Sequence, residues 1–165
     1  MQPRFILFLV VVTGTLAACH SVQHKVEPAP VAQDVTPGST FTVVKDFLIP
    51  SGDPAVYFQD SQLYPEGEIQ PDDPFCQFTS GAAAPGGQFI RSGVMTVSNV
   101  EYDENGVGPG GMDVSITAIH LREAATGKSY QMNCMLPLLA RGADFVTPAE
   151  IQGAVAGYMD LKLAP

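Results

Sequence analysis

The sequence predicts an α+β fold that is mainly β: an antiparallel sheet, or a small open barrel or sandwich, with one C-terminal helix. Three observations predict it. Short β-branched and aromatic segments recur between clusters of Gly, Pro, Asp and Ser, the pattern of strands and turns. Of 165 residues, 16 are Gly and 14 Pro while only 15% are charged, which excludes a coiled coil or a long helical bundle. One capped helical stripe stands near the C-terminus, from Thr147 to Tyr158.

Taken in order, the chain begins with a short basic region, Met1 to Arg4, then the unbroken apolar run Phe5 to Val12, then small residues as far as Cys19. This is the three-part layout of an export signal, over residues 1–18. A membrane-crossing helix needs ~20 apolar residues; this run is shorter and gives way to His20, Ser21 and Gln23. Leu16-Ala17-Ala18-Cys19 resembles a bacterial lipobox in all four positions. The resemblance implies cleavage before Cys19, a diacylglyceryl thioether on its sulfur and an acyl chain such as palmitate on its amino group, so that the partner of this end is the membrane itself. Each buried methylene contributes ~0.8 kcal/mol, and several chains on one residue make the anchor permanent. By the sorting rule that goes with such lipoproteins, Asp after the lipidated Cys retains a protein in the inner membrane. Here His20 follows, which implies the outer membrane with the domain facing the periplasm. An ordinary signal peptide with a chance cysteine is the other reading.

Residues 19–39 carry Pro28, Pro30, Pro37 and Gly38 with no helical or strand period, and read as a lipidated tether. A flexible chain of that length spans ~25 Å on average. His20 and His24 lie in it without the fixed geometry a metal site needs. Residues 40–165 form the β-rich domain. Thr40 to Ile49 reads as one strand ended by Pro50, Ser51 and Gly52, Ala55 to Gln59 as a second, and Phe75 to Thr79 as a third. Gln88 to Tyr102 reads as a long strand bent at Gly93. In Met112 to Arg122 the residues Val114, Ile116, Ala118 and His120 alternate with Ser115 and Thr117, and after Ala124 to Lys128 the residues Tyr130, Met132, Cys134 and Leu136 alternate with Gln131 and Asn133. The two make an antiparallel hairpin with the first set facing the core. Thr147-Pro148-Ala149-Glu150 supplies an N-cap, a first-turn proline and a capping-box glutamate ahead of Ile151, Ala154, Val155 and Tyr158. Gly153 and Gly157 weaken such a helix by ~1 kcal/mol each, which suggests close packing of their side on the sheet.

Charge and cysteines narrow the function. Lys and Arg number 8 against 17 Asp and Glu, and 7 against 17 once Arg4 is removed with the signal, which excludes binding to a nucleic-acid backbone. With Cys19 consumed by lipid, Cys76 and Cys134 remain as an even pair in an oxidising compartment, and a disulfide is the expected outcome. A metal or redox pair is the alternative, though there is no C-x-x-C spacing and no nearby histidine in sequence.

Catalytic signatures are few. There is no G-x-S-x-G elbow and no H-E-x-x-H helix. His120, the histidine of the folded part, falls on the Val114–Ile116–Ala118 face and reads first as a hydrogen-bonded core residue, second as a base working with nearby carboxylates. Glu101, Asp103 and Glu104 precede Asn105, Gly106, Gly108, Gly110 and Gly111, but the glycine falls too early for a calcium loop, and a glycine-rich hairpin turn fits better.

Finally, Phe47 to Gln59 read with Phe75-Cys76-Gln77-Phe78, Met132-Asn133-Cys134 and Thr147 to Ile151 is similar to a group of uncharacterised proteobacterial envelope lipoproteins. That likeness implies a membrane-anchored β-rich domain with paired cysteines and brings no catalytic residue or cofactor. The positions to inspect for recognition are Ile49 to Gly52, Tyr57 and Gln59. Two function classes follow: a non-enzymatic binding or assembly module meeting a periplasmic protein or peptidoglycan, or a periplasmic hydrolase or metal-dependent enzyme using His120.

Overall fold

A computed structural model describes residues 34–70, 72–81, 85–138 and 144–165. The expected export signal, Cys19 and most of the expected tether lie outside the described residues. The strands are β1 (Thr40–Val43), β2 (Phe47–Ile49), β3 (Ala55–Gln59), β4 (Gln62–Tyr64), β5 (Phe75–Thr79), β6 (Gln88–Ile90), β7 (Gly93–Val107), β8 (Asp113–Glu123), β9 (Ser129–Pro137) and β10 (Met159–Lys162), with helix α1 (Pro148–Val155) before the last. Eight of them form one curled antiparallel sheet, a half-barrel, in the order β10-β1-β7-β8-β9-β5-β3-β4, and β2 pairs with β6 as a separate ribbon. The α+β, mainly β architecture with a helix near the C-terminus is therefore as the sequence predicts.

Two strands expected to be continuous are each cut in two, at matching places. The Thr40–Ile49 segment leaves the large sheet after Val43 and enters the ribbon at Phe47, and the Gln88–Tyr102 segment makes the reverse passage between Ile90 and Gly93. Val43 pairs with Gly93 and Phe47 with Ile90, so the two chains turn the corner together. Asp46 holds the corner: its carboxylate accepts from the Ser92 N–H at 2.6 Å and hydroxyl at 2.7 Å, and pairs with Arg91 at 3.2 Å. These bonds, the Ser92 hydroxyl first and its N–H next, hold the Asp46 carboxyl below its ordinary value. The corner folds the ribbon over the inner face of the sheet, where Phe47 meets Phe58 at 5.2 Å and Phe78 at 5.3 Å, both edge-on, the favoured aromatic geometry.

Helix α1 has the expected cap: the Glu150 N–H donates to Thr147 Oγ1 at 3.3 Å and the Thr147 N–H to Glu150 Oε2 at 2.9 Å. Ile151, Ala154 and Val155 are buried, and the helix packs beside β3, β5 and β10. The glycine expectation is corrected. A methyl group on Gly153 would meet nothing within 4 Å, so no close packing requires it, while Gly157 has φ +81°, a conformation that ends the helix and favours glycine.

Three further differences have tertiary causes. The folded unit begins before residue 40: Val35 and Ser39 are buried, and the Ser39 hydroxyl accepts from the Thr36 N–H at 3.3 Å and the Ala164 N–H at 3.0 Å, so residues 34–39 belong to the domain rather than to a free tether. Two strands, β4 and β10, were not expected. β4 follows β3 through a two-residue turn, Asp60-Ser61, with φ +49° and +64°, which the Ser61 N–H stabilises by donating to the Ala154 carbonyl at 3.1 Å. β10 alternates Met159 and Leu161 with Asp160 and Lys162 and pairs with β1. In β8 the face turned to the main core is Thr117, Ile119 and Leu121, the opposite set from the one predicted. Val114, on the other face, is buried in a second small cluster with Tyr57, Phe75 and Met135.

Candidate functional site

Cys76 and Cys134 are directly opposed residues of β5 and β9, Cα atoms 4.0 Å apart, joined by a disulfide across a separation of 58 residues. Both are fully buried among Met132, Leu136 and Phe78. The bond is a staple in the middle of the sheet, away from solvent, and its position indicates a structural rather than a redox role.

His120 is not a core histidine. Because the inward set of β8 is the odd-numbered one, His120 stands on the outer face, half-exposed, with Nε2 3.6 Å from Glu101 Oε1. Glu101 is itself exposed and accepts from the Asn99 amide at 2.9 Å. One carboxylate thus faces the imidazole, and among the described residues no group of three His, Cys, Asp or Glu side chains converges to hold a metal. Tyr57 and Gln59 prove to be structural. Tyr57 is buried and its hydroxyl accepts from the Gln77 amide at 2.8 Å. Burial raises its phenol above the ordinary value, the Gln77 hydrogen bond working against that. Gln59 donates to the Gln70 and Asp73 carbonyls at 2.9 and 3.2 Å and accepts from the Gln70 N–H at 2.8 Å, tying down the loop between β4 and β5. Ile49 is buried, while Ser51 donates its hydroxyl to the Pro85 carbonyl.

The concave feature best suited to a ligand was assembled from segments the sequence gave no reason to connect. Tyr102 on β7 and Thr117 on β8 are paired residues and share the inner face. Asp34 and Val35 at the start of the folded unit, and Phe145 to Pro148 leading into α1, close round them to leave a cavity of about 420 Å³. Its apolar wall is Val35, Val146 and Ile151, all buried, together with the rings of Tyr102 and Phe145, 4.9 Å apart at 63°. In the wall lies Thr117, only 2% exposed, whose Oγ1 has no hydrogen-bond partner. Asp34 and Glu104 supply carboxylates at its border, and no Lys or Arg among the described residues lines it. Burial, and next the negative charge of Asp34, raises the Tyr102 phenol above its ordinary value. The sequence signal for this site was faint: Tyr102 reads as a strand end, Asp34 as tether and Phe145 as loop.

Two other hollows are less apt. One of about 550 Å³ runs between Leu48, Pro50, Val56 and Leu63, with its one buried polar group, the Tyr57 hydroxyl, already satisfied by Gln77. The other, about 250 Å³, is a depression of the outer face over Ala118. The chain matches no family model, no curated protein and no solved structure.

Proposed function

We propose that this chain is a lipoprotein of the bacterial outer membrane, anchored through lipid on Cys19, whose folded unit is a non-enzymatic binding module in the periplasm. The observation that carries the reading is the buried Cys76–Cys134 disulfide. Such bonds persist in oxidising compartments outside the cytoplasm, and the L-A-A-C sequence ahead of the domain accounts for how the chain gets there and stays. Binding rather than catalysis is favoured because His120 meets a single exposed carboxylate on the outer face and, among the described residues, does not share a concave pocket with two acids, as the hydrolase reading requires. The inner cavity instead combines apolar walls, a pair of rings and a few polar groups, the make-up of a ligand site.

Metabolic labelling with palmitate, followed by envelope fractionation, tests the anchor. The wild-type chain takes up label and sediments with outer membranes, and Cys19→Ala leaves an unlabelled precursor. Equal labelling of the two chains, or a wild-type chain recovered free of the envelope, refutes the proposal.

A further inference from the structure

We infer that the cavity between β7, β8 and the start of α1 binds a small organic ammonium ion, an amine carried on an apolar or aromatic body. This rests on the reading of the domain as a binding module and names the class of its ligand. Size limits the occupant first: about 420 Å³ is the share of some fourteen water molecules at ~30 Å³ each. That lies in the range of small-molecule pockets and admits a molecule of about ten non-hydrogen atoms.

The wall then selects an apolar or aromatic body. Val35 and Ile151 offer aliphatic contact, and Phe145 stands edge-on to Tyr102. Tyr102 is 52% exposed, so much of its ring is open to contact with an incoming molecule. An aromatic face is negative at its centre and attracts ammonium groups. Charge decides the sign of the head group. Asp34 and Glu104 border the cavity, and neither forms an ion pair within the described residues. An anionic ligand would meet both carboxylates, whereas a cation pairs with them and with the ring at once. The whole chain, at −9, adds to the same preference. Thr117 supplies the last element: a buried hydroxyl without a partner is costly, and a ligand or a water carried with it relieves that cost.

The test is titration of the full chain in detergent with three probes of one shape: phenethylamine, the neutral 2-phenylethanol and the anionic 3-phenylpropionate. Calorimetry gives the affinities and backbone amide shifts give the location. Phenethylamine should bind at least tenfold more tightly than the alcohol at low salt and the carboxylate more weakly than either, with shifts centred on Tyr102, Thr117 and Phe145. Asp34→Asn with Glu104→Gln, both at exposed positions and leaving the melting temperature unchanged, should bring the amine down to the affinity of the alcohol without altering the alcohol. Phe145→Ala should weaken both. If amine and alcohol bind equally at these residues, the ammonium class is wrong while the binding module stands. If no probe moves Tyr102 or Thr117, the cavity is not a ligand site and the binding-module reading loses its site as well.

Discussion

Opening the Cys76–Cys134 disulfide should lower the stability of the domain by an amount the structure sets. Closing a 58-residue separation removes chain entropy from the unfolded state worth ~4 kcal/mol. The folded unit, from Asp34 to Pro165, has about 130 residues, and at ~2.1 cal/mol/K per residue its unfolding entropy is ~0.28 kcal/mol/K, so ~4 kcal/mol corresponds to a fall in Tm of about 14 °C. The Cys76→Ala, Cys134→Ala double variant should lose a few degrees more than the reduced wild type. Both sulfurs are fully buried in the core, and truncating them leaves a small void in addition to the lost cross-link. Thermal unfolding followed by circular dichroism, with and without reductant, measures both. Reductant should shift the wild type and leave the double variant where it is. Thiol-reactive labelling of the unfolded, non-reduced domain should find neither Cys76 nor Cys134 free. A double variant melting within about 3 °C of the oxidised wild type would refute the reasoning, because the cross-link would then be acting on an unfolded state already held compact.

Other predictions rest on separate contacts. Val155→Asp places an unpaired carboxylate at a fully buried position of α1 and should cost about 4 kcal/mol or more, read as a Tm fall above 10 °C. Gln152→Ala, which helical spacing alone would make silent, should cost ~1–2 kcal/mol, because Gln152 accepts from the Leu161 N–H at 2.6 Å and donates to the Met159 carbonyl at 3.1 Å; hydrogen exchange at Leu161 should speed up while β8 is unaffected. Gln59→Ala removes the partner of the Gln70 N–H and of the Asp73 carbonyl, while the Gln70 carbonyl keeps the Asp73 N–H at 3.4 Å, and should cost ~2 kcal/mol, seen as faster exchange at Gln70 and a lower Tm. Asp46 has its carboxyl held below the ordinary value, so its contribution to the β1–β2 and β6–β7 corner is present above the ordinary carboxylate range and is lost as pH falls through the lowered value; Asp46→Asn should flatten the acid limb of the stability–pH curve, and an unchanged limb would count against the corner.

Much of the architecture could be read locally. β3 and β5 fall where β-branched and aromatic residues stand between turn signals, the Ala124–Lys128 connection makes the β8–β9 hairpin, and the capping box starts α1 where the Thr147-Pro148 pair says it should. Each of these depends on residues within a few positions of one another, and local hydrogen bonding or alternation suffices to specify them. The cysteine pair was also legible, since setting Cys19 aside as the expected lipidation site leaves an even pair, Cys76 and Cys134.

What the chain alone left open is what depends on residues far apart. Alternation in β8 showed two sets of residues but not which one faces the core, because the half-barrel buries apolar side chains on both faces at the Val114 end: Val114 goes to Tyr57 and Phe75, while Ile119 and Leu121 go to the main core. That choice turned His120 outward and Thr117 inward, and with it moved the candidate site from a histidine to a cavity. The corner at Asp46 divides two apparent strands because Ser92, 46 residues away, satisfies its carboxylate. The Asp60-Ser61 turn adopts positive φ without glycine because carbonyls at the end of α1 meet Ser61. Tyr102, Thr117, Asp34 and Phe145 come from separate segments and become a site only when β7, β8 and the lead-in to α1 are packed. The sequence by itself determined the mainly β class, most of the strands, the start of the helix and that its two internal cysteines can pair; β4, β10, the faces, the corner and the cavity were decided by the tertiary structure, because burial and hydrogen-bond satisfaction are properties of surfaces that the chain makes only by meeting itself.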